Sequence, residues 1–353
     1  CEDISQKINF EKISPKIKRL DHTIREKSIF VIDESSINRT PEFFFLKIVE
    51  QTLKSTFRIK FSNRDKIVSA LIPSLEDGSP KYIIRTDIKK FYENIDNRKL
   101  IKILDEKESL PESTKAFCKK VLHQYRKIEN VDKGLPRGLS LSATLSEIFM
   151  KEIDQEISEM EDVYFYERYV DDIIIILKNS NHIEIDYIKS WENISSILTK
   201  NNLPINYEKT QKPIYIDRGR KSGTLSYLGY RFSLNHKNLK LKIDMADKKV
   251  EKIKKSIDNI FYMYRKNRKS GLKKKSERFL VNQVRYLTTN TRLHNRKSNA
   301  FVGIYFGNKF INTSESLEYL DQYLVSKIEL YATPYVRNGL KRFSFSNGFN
   351  NKV

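Results

Sequence analysis

Two adjacent aspartates lie between two runs of strand-forming residues in the middle of the chain. The runs are Val163–Tyr169 and Ile173–Leu177, and the link between them contains Asp171 and Asp172. Because β-branched and aromatic residues favour strands, this spacing predicts a β-hairpin with both carboxylates at its tip. The isoleucine-rich run predicts a buried strand, and two like charges at its end need a counter-ion. We expect a metal cation in that role; a solvated surface turn is the alternative for an Asp pair taken alone.

A third aspartate ends another strand-forming run. Tyr82–Ile84 and Thr86–Ile88 predict a buried strand whose carboxyl end presents Asp87. Three carboxylates at strand ends suit phosphoryl transfer, in which two divalent cations about 4 Å apart activate the attacking hydroxyl and neutralise the leaving group. Mg²⁺ needs few protein carboxylates when substrate phosphates complete its shell. A strand-capping acid is the alternative reading of Asp87.

The charge of the chain predicts a polyanionic partner. Its 353 residues carry 66 Lys and Arg against 45 Asp and Glu, a net charge of +21. Residues 246–353 hold 23 of the basic and 8 of the acidic residues, so +15 of that charge lies in the last third. Because the charge is localised rather than spread evenly, we expect a nucleic-acid-binding surface there.

Other classes of protein are disfavoured by composition. No apolar run approaches the roughly 18 residues that a membrane span needs, so we expect no integral membrane protein. Hydrophobic residues make up 39% of the chain, which is enough for a large core. The 2 cysteines are too few for a disulfide framework or a four-cysteine zinc site, and a reducing, cytoplasmic setting is expected.

Periodicity predicts alternating helical and extended segments. Helical patterns are predicted at 40–53, 97–106, 111–126, 142–160, 183–201 and from 246, and strands at 206–216, 224–234 and 239–243. The resulting division is an N-terminal region at 1–80, a central α/β region at 81–245 that contains a helical insertion at about 97–140, and a basic helical region at 246–353.

Several segments together carry a resemblance to reverse transcriptases. They are YIIRTDIKKFYENID (82–96), GLPRGLSLSATLSEIFM (134–150), YVDD (169–172), YEKT (207–210) and LSYLGYRF (225–232), in the family's order, with RDKIV (64–68) similar to a fingers segment. The resemblance covers roughly residues 55–245. It implies an α+β, right-hand polymerase fold: fingers at 1–80, a palm with an antiparallel sheet and helices at 81–245, and a basic α-helical thumb and C-terminal region at 246–353.

The resemblance also implies a chemistry. It is that of an RNA-directed DNA polymerase, a nucleotidyltransferase in which Asp87, Asp171 and Asp172 are catalytic. The same three carboxylates and the backbone carbonyl of Ile88 would bind two Mg²⁺ ions, with Mn²⁺ as an alternative. The implied partners are an RNA template or a non-coding RNA, the DNA product and dNTPs. No membrane partner is expected, and a homo-oligomer or a partner protein stays open.

Further site residues are implied position by position. Tyr92 occupies the aromatic position that excludes a ribose 2′-hydroxyl, with a core tyrosine as the alternative. Lys209 resembles the lysine that protonates pyrophosphate, with a solvated lysine as the alternative. The remaining nucleotide-binding candidates are Arg137, Gly138, Arg58 and Arg64, and the primer and template candidates are Leu228, Gly229, Lys252, Lys255 and Arg265.

Arg137 departs from the family's pattern. The family usually carries Gln between Pro and Gly, and Gln both donates and accepts hydrogen bonds, whereas Arg only donates and is always charged. Templated copying is therefore one hypothesis, and template-independent synthesis, or synthesis primed by protein or non-coding RNA, is another. An RNA-directed RNA polymerase, which a bulky Tyr92 disfavours, and a non-catalytic RNA-binding scaffold are further alternatives. The segment TDIKKFYENID (86–96) looks most like bacterial reverse transcriptases of the group II intron, retron and abortive-infection or defence-associated lineages. The segment 283–306 looks like the helical C-terminal region of the defence-associated group.

Overall fold

The computed structural model describes residues 15–20, 28–33, 39–178, 186–216, 223–234, 241–293 and 300–352. Its helices are α1 (Arg39–Thr56), α2 (Arg64–Glu76), α3 (Phe91–Asn94), α4 (Asn97–Asp105), α5 (Glu112–Glu129), α6 (Ser140–Ser158), α7 (Tyr187–Lys200), α8 (Asp247–Lys269), α9 (Lys273–Thr288), α10 (Glu315–Tyr331), α11 (Pro334–Leu340) and α12 (Phe345–Asn350). Its strands are β1 (Ile17–Arg19), β2 (Phe30–Ile32), β3 (Lys81–Asp87), β4 (Val163–Tyr169), β5 (Asp172–Leu177), β6 (Ile214–Ile216), β7 (Gly223–Tyr227), β8 (Tyr230–Leu234), β9 (Leu241–Met245), β10 (Asn290–Arg292) and β11 (Phe301–Gly303). The fold is therefore α+β, as predicted.

The chain divides into two compact units. The first contains Cys1–Ile67 and Lys81–Pro213, and the second contains Val68–Pro80 and Ile214–Val353. This division falls near 213 rather than at the boundary near 245 that the sequence predicts. The strands β7, β8 and β9 pair with one another in the second unit, so the basic helix α8 follows them without a change of unit.

The predicted hairpin is confirmed in the first unit. β4 and β5 are antiparallel, and Tyr169 pairs with Asp172 across the two-residue turn Val170–Asp171. On its other side β5 pairs antiparallel with β3, which gives the neighbouring order β4-β5-β3. The central strand β5 is buried because each of its five apolar residues, 173–177, is fully covered.

One large apolar core holds the first unit together. It includes Ile84 from β3, Ile173 and Ile175 from β5, and Leu145 and Phe149 from the predicted amphipathic helix α6. Apolar residues recur at helical spacing along one face of α6, and this face therefore packs into the core. The core therefore supports the strand ends that carry the three aspartates.

One strand prediction is wrong. The sequence predicts a strand over 206–216, but only Ile214–Ile216 is extended. Asn206 instead starts a turn, because its carbonyl accepts hydrogen bonds from the amides of Lys209 and Thr210, both at 3.0 Å. The predicted strands 224–234 and 239–243 are confirmed as β7, β8 and β9, apart from residues 239 and 240, which lie outside the described ranges.

The second unit is built from a three-stranded antiparallel sheet and helices. Strands β7, β8 and β9 follow one another as a meander, and β10 pairs with β11. The helices α8, α9 and α10 bury apolar stripes that include Ile257, Leu280 and Leu324. In the part of the chain that the structure describes, no helix combines the length and the apolar character that crossing a bilayer requires.

A glycine in the second unit gives a matched pair of stability predictions. A Cβ atom at Gly348 would lie 1.7 Å from the carbonyl oxygen of Thr288, whereas a Cβ atom at Gly339 would meet nothing within 4 Å. We therefore expect Gly348→Ala to lower the free energy of unfolding by about 2–4 kcal/mol, and Gly339→Ala to leave it unchanged or slightly raised. Urea unfolding of the two variants measures this, and equal stabilities would contradict the close packing at Gly348.

Candidate active site

The register of two neighbouring strands places two aspartates side by side. Asp87 at the end of β3 pairs with Asp172 at the start of β5. Because directly opposed residues of an antiparallel pair project from the same face of a sheet, their side chains are neighbours. Asp87 is only 7% exposed. Two carboxylates separated by 84 intervening positions in the chain are thus brought together by β3–β5 pairing.

The third aspartate is held at the turn of the hairpin. The backbone of Val170 lies in the left-handed region, with a φ of 61°. This conformation sets the direction that the chain takes at Asp171. The carbonyl of Asp171 accepts a hydrogen bond of 2.9 Å from the amide of Ile88, which continues β3 beyond Asp87. A backbone hydrogen bond therefore joins the turn to the end of β3, in addition to the pairing of β3 with β5.

Each carboxylate of this cluster makes ionisation of its neighbours less favourable. Burial raises the pKa of Asp171, and nearby Asp87 raises it further. Burial also raises the pKa of Asp172, which Asp87 raises too, while Arg85 opposes the shift. A cation between Asp87 and Asp171 would remove this repulsion.

Two basic side chains compensate part of the negative charge. The Nζ of Lys209 lies 3.0 and 3.1 Å from the two carboxylate oxygens of Asp87, and the amide Nδ2 of Asn206 donates to Asp87 at 2.9 Å. Arg85 donates from Nε and Nη2 to the two oxygens of Asp172, both at 2.9 Å. Lys209 thus lies in the site that the resemblance implies, and Asn206 and Arg85 join it.

The donor set fits a divalent cation held by two carboxylates. Across the described ranges, no three Asp, Glu, His or Cys side chains converge as a group of metal ligands. Arg85 occupies both oxygens of Asp172. The described residues form no ion pair to Asp171, whereas Asp87 is paired to the half-exposed Lys209. Because Mg²⁺ is commonly bound through one or two carboxylates plus substrate phosphates, Asp87 and Asp171 suffice.

The electrostatics give a prediction for the metal-free protein. The folded pKa of Asp171 lies above its unfolded value, so its ionised form destabilises the fold at neutral pH, and this penalty disappears as the pH falls. We expect Asp171→Asn to raise Tm by ~2–4 °C in EDTA at pH 7. Wild type and variant should converge below the ordinary carboxyl range, where both are neutral. Differential scanning calorimetry measures this, and a lowered Tm of the variant at pH 7 would contradict it.

Tyr92 and Arg137 contact one another. The guanidinium carbon of Arg137 lies 4.8 Å from the centre of the Tyr92 ring, and Nη2 donates to both oxygens of Glu93 at 3.1 and 3.2 Å. Tyr92 is half-buried and packs against the core, and burial raises its pKa. Arg137 therefore stacks on the predicted sugar-discriminating ring while Glu93 balances its charge.

Close packing requires a glycine at position 138, which the sequence alone did not indicate. Its φ is 107°, and a Cβ atom there would lie 2.7 Å from the carbonyl oxygen of Phe30 and from Cγ2 of Ile29. The carbonyl of the preceding Arg137 accepts a hydrogen bond of 2.7 Å from the amide of Phe30. A close approach to β2 thus requires glycine here, and its contact with a nucleotide stays a prediction.

The remaining candidates lie on other elements of the chain. Arg58 follows α1 with a left-handed φ of 52°, and Arg64 begins α2. In the second unit, Leu228 and Gly229 form the turn of the β7–β8 hairpin, with φ values of 46° and 80°. Lys252, Lys255 and Arg265 are exposed on α8. Their roles with triphosphate, primer and template stay predictions.

Sequence reasoning missed a group of buried charges behind the hairpin. Arg168 on β4 is hydrogen-bonded to Glu147 and Asp154 of α6 and to the carbonyl of Val170. It also missed Glu93, Asn206 and Arg85. Of these residues, only Arg85 could have been assigned to the site from the sequence. It lies two residues before Asp87 and hence on the same face of one strand.

Comparison with known proteins assigns the chain to a family. Residues 44–232, more than half of the chain, match the family described as reverse transcriptase (RNA-dependent DNA polymerase). The chain therefore belongs to the reverse transcriptase family. The match spans the three aspartates and ends at Phe232, within strand β8. No curated protein matches the sequence.

Solved structures similar to this chain include telomerases of two yeasts. Apo telomerase from Candida tropicalis has 15% identity and a TM-score of 0.49 over 96% of this chain and 59% of its own. Telomerase from Candida albicans in complex with a fragment of telomeric RNA has 13% identity and a TM-score of 0.43 over 94% and 62%. A C-terminally truncated apo form from Candida tropicalis has 17% identity and a TM-score of 0.45 over 65% and 55%. The chain thus spans about three fifths of the length of these structures.

Proposed function

We propose that this chain is an RNA-directed DNA polymerase that adds dNTPs to a primer 3′-hydroxyl. The observation that carries the proposal is the pairing of Asp87 with Asp172 beside the Asp171 turn, within a segment that matches the reverse transcriptase family. Phosphoryl transfer requires clustered carboxylates at a surface that substrate can reach, and the ends of β3 and β5 provide them.

The three aspartates have two different parts in the proposed mechanism. Asp87 and Asp171, with the backbone carbonyl of Ile88, would hold two Mg²⁺ ions, or Mn²⁺. When bound, these ions lower the pKa of the attacking hydroxyl and neutralise the developing charge on the phosphate. Asp172 is bound to Arg85 at both oxygens, so its charge is balanced by the guanidinium and the pair fixes the start of β5 against β3.

Lys209 would act as the proton donor to the leaving pyrophosphate. Its Nζ already lies at the cluster, 3.0 Å from Asp87, and its side chain is 56% exposed, so it is free to turn toward a bound triphosphate. A cation bound to Asp87 would displace the ammonium from the carboxylate. Arg58, Arg64 and Gly138 are the further proposed contacts of the nucleotide.

Nucleic acid is proposed to bind along the basic helix of the second unit. Lys252, Lys255 and Arg265 are exposed on α8, where cationic side chains can replace counter-ions at phosphates. The β7–β8 turn at Leu228 and Gly229 is the proposed contact of the primer end. We propose that residues 1–80 form the fingers, residues 81–245 the palm and residues 246–353 the thumb.

Copying of a defined template tests the proposed function. Purified protein is given a primed RNA of known sequence, dNTPs and NTPs in equal concentration, and Mg²⁺, and the product is sequenced. We expect DNA complementary to the template. Complementary RNA made in preference to DNA would indicate an RNA polymerase, and binding without any synthesis would indicate a scaffold.

Arg137 favours a second candidate within the same chemistry. Its guanidinium is bound to Glu93 and stacked on Tyr92, so a charged pair stands where the family's glutamine would contact a substrate. Synthesis without a conventional template, or primed by protein or non-coding RNA, is compatible with this change. Random or simple-repeat DNA in the sequencing experiment would select this candidate.

We further propose that the chain belongs to the bacterial defence-associated group and acts in a cytoplasmic setting. The segment TDIKKFYENID (86–96) supports a bacterial reverse transcriptase, and the segment 283–306 supports the defence-associated group. The free, buried thiol of Cys118 suits a reducing compartment. Expression in bacteria challenged with phage tests the proposal. Fewer plaques with wild type than with Asp171→Asn would support it, and equal plaque numbers would contradict it.

A further inference from the structure

A buried arginine stands behind the hairpin that carries Asp171. The side chain of Arg168 is 3% exposed. Its guanidinium donates to both oxygens of Glu147, at 3.1 and 2.7 Å, and to both oxygens of Asp154, at distances from 2.8 to 3.2 Å. Tyr166, two residues earlier on the same face of β4, donates to Asp154 at 2.6 Å. The single charge of Arg168 is thus paired with two carboxylates inside the protein.

The two carboxylates give this arginine a rigid anchor. Glu147 and Asp154 are seven residues apart on α6, which places them on the same face of the helix. The adjoining positions Leu145, Ile148 and Ile153 are buried in the core. Movement of the guanidinium would therefore require movement of α6 or loss of charge-assisted hydrogen bonds.

The arginine has one further partner, at the turn itself. Its Nη1 donates to the carbonyl of Val170 at 2.8 Å. Val170 has a φ of 61°, a conformation that is unfavourable for a β-branched residue and that persists only where surrounding contacts impose it. Arg168 supplies such a contact from within the protein.

The conformation of Val170 determines where Asp171 lies. Val170 and Asp171 are the two residues of the turn, and the carbonyl of Asp171 is bonded to the amide of Ile88 beyond the end of β3. If Val170 relaxed to negative φ, the peptide that follows it would rotate and this bond would be lost. The carboxylate of Asp171 would then leave its place beside Asp87.

We propose that Arg168 is a positioning residue that holds the strained Val170 turn and thereby keeps Asp171 in place for cation binding. The inference rests on the proposed function, because it assumes that Asp87 and Asp171 bind a divalent cation. Arg168 does not touch substrate; it acts through the backbone of Val170.

Arg168→Lys separates positioning from charge neutralisation. A lysine keeps the buried positive charge near Glu147 and Asp154 but cannot satisfy both carboxylates and the Val170 carbonyl from one ammonium. We expect Mn²⁺ affinity, measured by electron paramagnetic resonance of free Mn²⁺, to fall about 10-fold or more. We also expect faster hydrogen exchange at the Ile88 amide in metal-free protein. Unchanged Mn²⁺ affinity together with unchanged exchange at Ile88 would overturn the inference.

Lys115→Met is the matched control for loss of stability. Lys115 is another buried cation, with a side chain 7% exposed, and it is bonded to Glu112 and to the carbonyl of Asp105, away from the hairpin. We expect this variant to lower thermal stability and to keep Mn²⁺ affinity within about twofold of wild type. An equal loss of affinity in both variants would reduce the role of Arg168 to general stability and overturn the inference.

A rescue at position 170 tests the proposed route of action. Glycine adopts positive φ without strain, so Val170→Gly should make the turn independent of Arg168. We expect Arg168→Lys to lower Mn²⁺ affinity much less in the Val170→Gly background than in wild type. An equal loss in both backgrounds would contradict action through Val170.

The proposed function and the inference can fail separately. If Asp171→Asn leaves Mn²⁺ binding of the otherwise wild-type protein unchanged, the metal site of the proposed function is wrong. The exchange of the Ile88 amide still tests the role of Arg168, since it needs no metal. If Asp171→Asn abolishes binding while Arg168→Lys changes neither readout, only the inference is wrong.

Discussion

Replacing Asp171 by Asn is expected to reduce nucleotide incorporation by at least ~10³-fold. The change leaves the size of the side chain almost unaltered but removes the charge that, with Asp87, would bind the cations neutralising the transition state. Single-turnover primer extension measures the rate of the chemical step. Because the variant relieves repulsion in the metal-free cluster, it should fold at least as well as wild type.

Asp186→Asn is the control for this substitution. Asp186 caps the start of α7, where its side chain accepts a hydrogen bond from the amide of Lys189 at 3.1 Å, and asparagine caps helices equally well. This variant should retain the wild-type rate. A rate for Asp171→Asn within about 10-fold of wild type would show that Asp171 is not a ligand of a catalytic cation.

Replacing Tyr92 by Ala is expected to lower the preference for dNTPs over NTPs by about 10- to 100-fold. The ring is half-buried, lies 5.5 Å from the ring of Phe91 and is covered on the Arg137 side by the stacked guanidinium. It is therefore held in one position, and its removal would open space for a 2′-hydroxyl. Discrimination by steric exclusion is lost when the excluding group is removed. The ratio of kcat/KM for dTTP and UTP measures it.

Two variants distinguish the ring from its surroundings. Tyr92→Phe keeps the ring and should keep the preference, although it loses the hydroxyl, whose pKa burial raises. Phe91→Leu changes the neighbouring core residue, which is 2% exposed, and should lower stability without changing the preference. An unchanged ratio in Tyr92→Ala would establish Tyr92 as a core residue, the alternative that the sequence left open.

Local pattern was sufficient to predict the hairpin and the strand ends of the candidate site. The runs 163–169 and 173–177 have the length and composition of strands, and only two residues fit between the paired Tyr169 and Asp172. The end of β3 and the presence of the amphipathic helix α6 follow from the same kind of information, although α6 begins and ends two residues earlier than the predicted 142–160. These features depend on residues that are close in sequence, which is why a single sequence contains them.

The partners of charged residues could not be predicted in this way. Arg168 meets Glu147 and Asp154 only because α6 packs beside β4, and Lys209 reaches Asp87 only because residues 206–210 turn instead of forming the predicted strand. A charge in a strand or a polar turn has many compatible partners, and tertiary packing selects among them. The packing requirement at Gly138 could not be predicted for the same reason, because the backbone of Phe30, distant in the chain, leaves no room for a side chain there.

The location of bound Mn²⁺ tests the central claim most directly. Crystals grown with Mn²⁺ and a dNTP would show the cation by its anomalous scattering. The account predicts a peak within coordination distance of the carboxylates of both Asp87 and Asp171, with Lys209 displaced from Asp87 and Arg85 still bound to Asp172. A structure with nucleotide bound, Lys209 still paired to Asp87 and no Mn²⁺ at either carboxylate would contradict it.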